Sequence, residues 1–214
     1  MNTAVLIIIG LTVAISLAGF QNRSFLNKYK FQIAPIKNGD YIRMVSSGFL
    51  HVDYTHLIFN MLTLYFFYDK IIKSFGSERF VILYLASLIA GSVLSYVYHK
   101  NEPSYSAVGA SGAVSGVLFS YILLNPFSKL YIMFIPVPIP AIVVGIGYLL
   151  YSVYGMKKGM GNIGHAAHLG GAAMGLLMTL IYAPQLITEK TNIVLILCIP
   201  LVALFILGRK QQIY

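Results

Sequence analysis

Residues 103–128 read PSYSAVGASGAVSGVLFSYILLNPFS and contain no charged side chain. A helix that crosses the hydrocarbon core of a bilayer needs about 20 mostly apolar residues, so this run is long enough for one span. Similar uncharged runs lie at residues 1–22, 54–68, 80–99, 130–156, 159–188 and 191–208. The pattern predicts an all-α membrane helix bundle, with the charged residues confined to short loops.

The composition agrees with this interpretation. Hydrophobic residues make up 58% of the 214-residue chain and charged residues only 10%, whereas about a quarter of the residues of a soluble domain are charged. We predict seven spans and one membrane domain over residues 1–214, without a separate soluble domain. The predicted spans are at about 3–20, 55–72, 80–99, 110–125, 138–154, 164–183 and 191–208.

The net charge of +9 bears on the partners of the chain. Because the basic residues flank apolar runs, they are placed to contact anionic lipid headgroups, and we expect the lipid bilayer as a partner and no nucleic acid. Cys198 is the single cysteine, which excludes an intrachain disulfide.

The connections between spans are short except for residues 21–55, which mix basic and apolar side chains. Such a mixture is typical of a segment that lies in the membrane interface. Three prolines, at positions 136, 138 and 140, stand at the entrance to span 5, where a missing N–H costs little. Pro200 predicts a kink in span 7.

Spans 4 and 6 are rich in small residues. Gly112 and Gly116 are four residues apart, as are Gly171 and Gly175, and this spacing lets two helix backbones approach closely in lipid. We expect these two spans to pack on each other near the centre of the bundle. Packing alone would explain the glycines, so they do not identify a function by themselves.

Polar side chains in a bilayer are costly and indicate functional sites. His51, His56 and Asn60 enter span 2, with the last two on one helical face. His165 and His168 stand near the start of span 6, and His168 shares the face of Gly171.

A serine protease dyad is one chemistry that these residues allow. Ser111 opens span 4, and a histidine base would activate its hydroxyl. If spans 4 and 6 run in the same direction, His168 lies at a similar depth. His56, Asn60 and the backbone N–H of Ser111 are candidates to stabilise an oxyanion. The acidic residues fall outside the spans or at their ends, so we expect no triad carboxylate.

Other reaction classes fit less well. Intramembrane aspartyl proteolysis needs two aspartates inside spans, and none lies there. A zinc protease of the His-Glu-x-x-His type is also excluded, because the sequence lacks that motif. A metal site built from His51, His56, His165 and His168 would lack a carboxylate or thiol to complete it. We therefore expect no metal and no cofactor. Histidines that only bond neighbouring helices, in a small-solute transporter or a structural protein, remain an alternative.

The sequence resembles the rhomboid family of intramembrane serine proteases in three spans. Gly109-Ala110-Ser111-Gly112-Ala113 resembles the nucleophile motif, and Ala167-His168-Leu169-Gly170-Gly171, followed by Gly175, resembles the catalytic-histidine span. His51, His56 and Asn60 match the pattern of span 2.

The resemblance implies a six-helix core plus a C-terminal span at about 191–208, and the rhomboid-like part of that core covers about residues 40–183. It implies that Ser111 and His168 form a catalytic dyad, with His56, Asn60 and Gly109 stabilising the oxyanion or the substrate. His51, Gly112, Gly171 and Gly175 would support the site. The implied activity is cleavage of single-span membrane proteins within or beside their transmembrane helix; an inactive rhomboid-like protein is the alternative.

Three features depart from the family pattern. The family often pairs an arginine of the first loop, here residues 21–55, with a glutamate at the end of span 2. Arg43 is present, but Ile72 stands at the glutamate position; either Asp69 or Glu78 substitutes, or the loop is anchored differently. Some members carry a tyrosine under the histidine ring, four residues after the nucleophile, where this chain has Ser115.

The third departure concerns orientation. We expect a multi-pass protein of a bacterial cell membrane with its active site on the outer side, as the family implies. That topology places ten basic residues outside and five inside, which the positive-inside rule does not favour. We follow the family topology, because the basic residues of a half-buried first loop are a poor measure of orientation under the positive-inside rule.

Overall fold

The computed structural model of the chain describes residues 1–132, 135–158 and 164–210. Helices dominate these residues, in agreement with the predicted all-α bundle. In chain order they are α1 (Thr3–Gln21), α2 (Arg23–Tyr29), α3 (Ile33–Lys37), α4 (Arg43–Ser46), α5 (Tyr54–Phe75), α6 (Ser77–His99), α7 (Ser111–Leu124), α8 (Ala141–Lys158), α9 (His165–Tyr182), α10 (Leu186–Glu189) and α11 (Thr191–Lys210). The strands are β1 (Phe31–Gln32), β2 (Ser106–Ala107), β3 (Lys129–Ile132) and β4 (Ile135–Pro140).

Each predicted span corresponds to one of the long helices α1, α5, α6, α7, α8, α9 and α11. By length and composition, α1 and α6 are long and apolar enough to cross a membrane, and shorter apolar helices lie at Ser111–Leu124, Ala141–Met156 and Thr191–Val202. Pro200 lies inside α11. The apolar helices agree with a membrane protein.

The predicted start of span 5 at residue 138 is wrong. Residues of β4 pair antiparallel with β3 in a short hairpin, and α8 begins only at Ala141. Proline cannot donate to a sheet ladder, but it is tolerated at a sheet edge, and both strands of a two-stranded hairpin are edges. The proline-rich segment therefore extends the hairpin instead of the helix.

The helices α6, α7 and α9 form the centre of the bundle. A Cβ atom added to Gly171 would meet the carbonyl oxygen of Gly112, and one added to Gly175 would meet that of Gly116. The predicted close packing of spans 4 and 6 is confirmed. On the other side of α9, a Cβ on Gly170 would lie only 2.6 Å from the carbonyl oxygen of Ala90, so α6 packs just as closely.

The connection between α1 and α5 is folded, with the short helices α2, α3 and α4, a 3-10 helix at Ser47–Phe49 and strand β1. Strand β1 pairs with β2, which precedes α7 by a few residues. Arg43 is buried here: its Nε lies 2.7 Å from Asp40 Oδ2, and its Nη1 donates to the carbonyls of Asn27 and Lys30 at 2.9 and 3.0 Å.

This network replaces the expected partner of Arg43 at the end of span 2. Asp69 instead pairs with Lys73 on its own helix, at 2.7 Å. Arg43 therefore links different parts of the first loop to one another, because Asp40, three residues earlier in the chain, is within reach of its side chain.

The far end of α7 is held by a basic side chain. Lys190 Nζ donates to the carbonyls of Leu123 and Leu124, at 3.1 and 2.7 Å. These carbonyls belong to the last turn of the helix, where no intrahelical donor remains and a positive charge is favourable. The lysine thus links the end of α7 to the start of α11.

Candidate active site

The turn before Ser111 requires glycine at one position. Gly109 has a φ of +134°, a conformation that residues with a Cβ rarely adopt. A Cβ there would also lie 2.7 Å from Cε1 of His56. Gly109 thus brings the imidazole of His56 against the backbone that leads into the serine helix.

The first loop holds the two residues that precede Ser111. The N–H of Gly109 donates to the carbonyl of Ser47 at 3.0 Å, and the N–H of Ala110 donates to Nε2 of His51 at 3.3 Å. His51 is fully buried in the loop before α5. Burial, followed by the nearby His56, lowers the pKa of His51 to about 3, so that its ring is neutral and Nε2 can accept.

Ser111 is the first residue of α7 and borders a cavity of about 730 Å³. The N–H groups in the first turn of a helix have no intrahelical acceptor. The cavity wall combines His56, Gly109, Gly112 and Ala167 with residues of the first loop and of the segment before α7. Ser111 and the N–H groups of the first turn of α7 thus lie next to a cavity large enough for part of a peptide.

The two candidate oxyanion donors of span 2 differ in placement. His56 lines the cavity, whereas Asn60 is buried and is not among the described residues of its wall. Asn60 Nδ2 donates to the carbonyl of His56 at 2.9 Å. Asp53 caps the helix by accepting from the N–H of His56 at 2.7 Å. Asn60 therefore holds the turn that carries His56, and one N–H of its amide is used within the helix.

His168 lies in the first turn of α9, which packs on the first turn of α7. A Cβ on Gly112 would lie 3.3 Å from the carbonyl oxygen of Ala167. The immediate neighbours of Ser111 and His168 are therefore in contact. No hydrogen bond joins the two side chains among the described residues; in structures without substrate such bonds are often long and tighten only in the complex.

A tyrosine from α8 lies beside His168. The rings of Tyr148 and His168 are stacked with centroids 5.6 Å apart and planes inclined by 24°. The hydroxyls of Tyr148 and Ser115 are 2.7 Å apart and hydrogen-bonded. The tyrosine that the family pattern would place at position 115 is thus replaced by Tyr148 of α8, and Ser115 bonds its hydroxyl.

His165 is buried behind His168. Its ring meets those of Tyr151 and His168 edge-on, with centroids 5.3 and 6.3 Å away. Among the residues that the structure describes, no group of three or more His, Cys, Asp or Glu side chains is arranged to hold a metal ion.

Three residues that contact the candidate site were not predicted from the sequence: Ser47, Tyr148 and Ser16, whose Oγ lies 2.9 Å from Nδ1 of His51. Ser16 is a polar residue within an apolar span, and that signal could have identified it. Ser47 acts through its backbone carbonyl, and Tyr148 is one of 16 tyrosines, so nothing in the sequence sets them apart.

Comparison with known proteins decides the family. The family model of the rhomboid domain matches residues 38–185. The chain belongs to the rhomboid family. The match confirms the resemblance seen in the sequence, and together with the apolar helices it supports a location in a membrane.

Rhomboid relatives come from several sources. The chain is 32% identical over 170 residues to the RHOMBOID-like protein 12, mitochondrial, of Arabidopsis thaliana, covering 72% of this chain and 50% of that protein. It is 37% identical over 142 residues to the Rhomboid protein 1, mitochondrial, of Saccharomyces cerevisiae (64% and 40%). It is 31% identical over 145 residues to the Rhomboid protease GluP of Bacillus subtilis (65% and 26%).

The chain thus spans half or less of the length of these rhomboid relatives. Two of them are named as mitochondrial proteins and one is bacterial, so the expected bacterial cell membrane has no support from the comparison. Two of the rhomboid relatives, both from Bacillus subtilis, are named as proteases, one of them as a putative one.

Proposed function

We propose that this chain is an intramembrane serine endopeptidase that cleaves single-span membrane proteins within or next to their transmembrane helix. The observation that carries the proposal is the position of Ser111. It opens a helix whose first turn borders a polar cavity on one side and contacts the start of the His168 helix on the other.

His168 is the base in this proposal. It takes the proton of the Ser111 hydroxyl as the serine oxygen attacks the peptide carbonyl, and it then donates that proton to the leaving amine. A short movement of either side chain forms the Ser–His hydrogen bond, because the adjoining residues Gly112 and Ala167 are already packed together.

The negative charge of the tetrahedral intermediate needs donors. The N–H of Ser111, at the start of α7, and the imidazole of His56, beside Gly109, both face the cavity in this proposal. A donor of this kind contributes about 3 to 4 kcal/mol to transition-state stabilisation. The amide of Asn60 keeps His56 in place through the bond to its carbonyl.

A serine ester with the new carboxyl end of the substrate is the covalent intermediate. Water reaches it through the cavity, which is polar enough to be wet: Ser47, Asp53 and Ser92 line it together with Arg23 and Lys30. The same histidine activates this water, and the hydrolysis of the ester restores Ser111. No cofactor enters this scheme.

The proposed arrangement in the membrane is the one that the family resemblance implies. We propose a core at about residues 40–183, an added span at about 191–208, and a cavity reached from the outer side, where the first loop lies. The bilayer presents the substrate helix. A cavity of about 730 Å³ accepts a few residues in extended form, so the substrate helix has to unwind locally.

The experiment is cleavage of a panel of single-span substrates by the purified full chain in liposomes. We expect cleavage by the wild type and none by Ser111→Ala or His168→Ala. Ser120→Ala is the matched control, since it removes another buried serine hydroxyl of α7 and should leave cleavage in place. If the wild type cuts no substrate and a fluorophosphonate does not label Ser111, the chain is an inactive rhomboid-like protein.

A further inference from the structure

Ser16 is a polar residue in the C-terminal half of the apolar helix α1, and its side chain is fully buried. A buried hydroxyl in a membrane helix is costly unless it is hydrogen-bonded. The Oγ atom of Ser16 lies 2.9 Å from the carbonyl oxygen of Phe49 and 2.9 Å from Nδ1 of His51. Both partners belong to the first loop and are more than thirty residues away in the chain.

Only one arrangement of protons satisfies these contacts. A carbonyl can only accept, so the single hydroxyl proton of Ser16 is donated to Phe49. Nδ1 of His51 must then carry a proton and donate it to Ser16 Oγ. That leaves Nε2 as an acceptor, and this is the atom to which the N–H of Ala110 points, at 3.3 Å.

We propose that Ser16 is a positioning residue for the nucleophile: through its bond to Nδ1 it holds His51 in the tautomer that accepts the N–H of Ala110, and so sets the turn that carries Ser111. The inference rests on the proposed function. Ser16 lies outside residues 38–185, which match the rhomboid domain, so helix α1 contributes to the site as well as to the bundle.

Loss of the Ser16 hydroxyl would remove the acceptor that keeps the proton of His51 on Nδ1. A proton on Nε2 would then face the N–H of Ala110, donor against donor, and the turn would have to move. The N–H of Gly109 would still be bonded to Ser47, so the shift would be small. A misplacement of about 1 Å in a catalytic group is enough to slow a reaction about 100-fold.

The test uses the full chain and two readouts. The first is the rate at which a small fluorophosphonate labels Ser111, which requires no docking of a substrate helix; the second is the split between kcat and KM. For Ser16→Cys, which is nearly isosteric but a weak hydrogen-bond partner, and for Ser16→Ala, we expect labelling and kcat to fall about 10- to 100-fold with little change in KM. Ser16→Thr, which keeps the hydroxyl, should restore most of the rate.

Thr12→Val is the matched control. Thr12 is fully buried one turn earlier on α1, and its hydroxyl donates to the carbonyl of Ile8 at 2.7 Å. This variant should label Ser111 at the wild-type rate. In a His51→Gln background, Ser16→Cys should add no further loss, because Ser16 acts through His51.

Equal labelling rates in Ser16→Cys, Ser16→Ala and Thr12→Val would overturn the inference. So would losses in the Ser16 variants that merely follow a lowered melting temperature, or losses that persist undiminished in the His51→Gln background. A wild-type chain whose Ser111 is never labelled would refute the proposed function instead.

Discussion

The environment of His168 is decided by single side chains on two other helices. Tyr148 stacks on its ring, and Ser115, one turn along α7 from Ser111, holds the hydroxyl of that tyrosine. Among the described residues, no carboxylate orients the imidazole of His168. Its rotation is limited instead by the ring of Tyr148. A flat ring packed at this distance restricts side-chain freedom without adding charge.

Tyr148→Leu should lower kcat about 10- to 100-fold, because removal of the ring lets the base leave its productive orientation. Tyr148→Phe keeps the ring and loses only the bond to Ser115, so we expect a fall of no more than about 10-fold, the equivalent of one neutral hydrogen bond. The measurement is kcat and KM for a cleaved single-span substrate, together with the melting temperature.

Tyr154→Leu serves as the control for this pair, since that tyrosine is on the same helix but 53% exposed. Ser115→Ala should match Tyr148→Phe, and the double variant should be no slower than either. Wild-type kcat in Tyr148→Leu would show that the stacked ring does not position His168.

At the level of elements, the site depends on how closely α7 and α9 approach. Backbone carbonyls of Gly112 and Gly116 occupy the space where side chains of Gly171 and Gly175 would begin. The serine and the histidine are on facing first turns of these two helices. The distance between the helices therefore sets the distance between the two residues of the proposed dyad.

Gly171→Ala should lower both stability and activity. Its new Cβ meets the carbonyl oxygen of Gly112, a backbone atom that cannot turn away, and overpacking of this kind costs about 1 to 3 kcal/mol. We expect a melting temperature lower by several degrees and a large loss of kcat, measured on the same purified sample.

Gly10→Ala is the matched control, because a Cβ at Gly10 of α1 has no neighbour within 4 Å. This variant should unfold at the wild-type temperature or slightly above it, since alanine favours the helix. Equal behaviour of the two alanine variants would mean that α7 and α9 are not in close contact at Gly171.

On the scale of the whole molecule, the first loop forms a large part of the cavity wall. It supplies Ser47 and His51 to the serine turn, and strand β1 pairs with β2 just before that turn. Arg43 ties the loop to itself through Asp40 and two backbone carbonyls. The loop is therefore a structural component of the site.

Arg43→Ala should loosen this loop. It leaves the carbonyls of Asn27 and Lys30 without their donor, and each carbonyl that stays buried and unpaired costs about 1 to 3 kcal/mol. The Asp40 side chain is 41% exposed and can bind water instead. We expect a lower melting temperature, faster proteolytic cutting between residues 23 and 50, and a fall in cleavage activity. Lys37→Ala, at an exposed position on the same loop, is the control and should change none of these properties. If the loop of Arg43→Ala resists protease as well as the wild-type loop does, Arg43 does not anchor it.

The sequence by itself determined the helical bundle, its long helices and its family. Uncharged runs report where a chain can be buried in lipid, since an ionised side chain there is costly, and this local property needs no knowledge of neighbours. The sequence also predicted the close packing of α7 and α9, because small residues four apart reveal a contact face. The pairing of Ser111 with His168 stays a prediction. Prediction from the sequence failed at the proline-rich residues 135–140, which form a strand instead of opening α8. Proline is tolerated both in the first turn of a helix and in an edge strand, so the local pattern does not distinguish the two.

The tertiary structure alone decided which side chains support the pair. Tyr148 stands under His168 although it is far away in the chain, Asp40 and not Asp69 pairs with Arg43, and Ser16 reaches His51 from the first helix. Each of these contacts joins residues whose neighbourhood depends on how whole helices and loops are placed. Hydrogen bonds and ring stacking require positions accurate to a few tenths of an ångström, and a one-dimensional pattern of apolar and polar residues carries no distances.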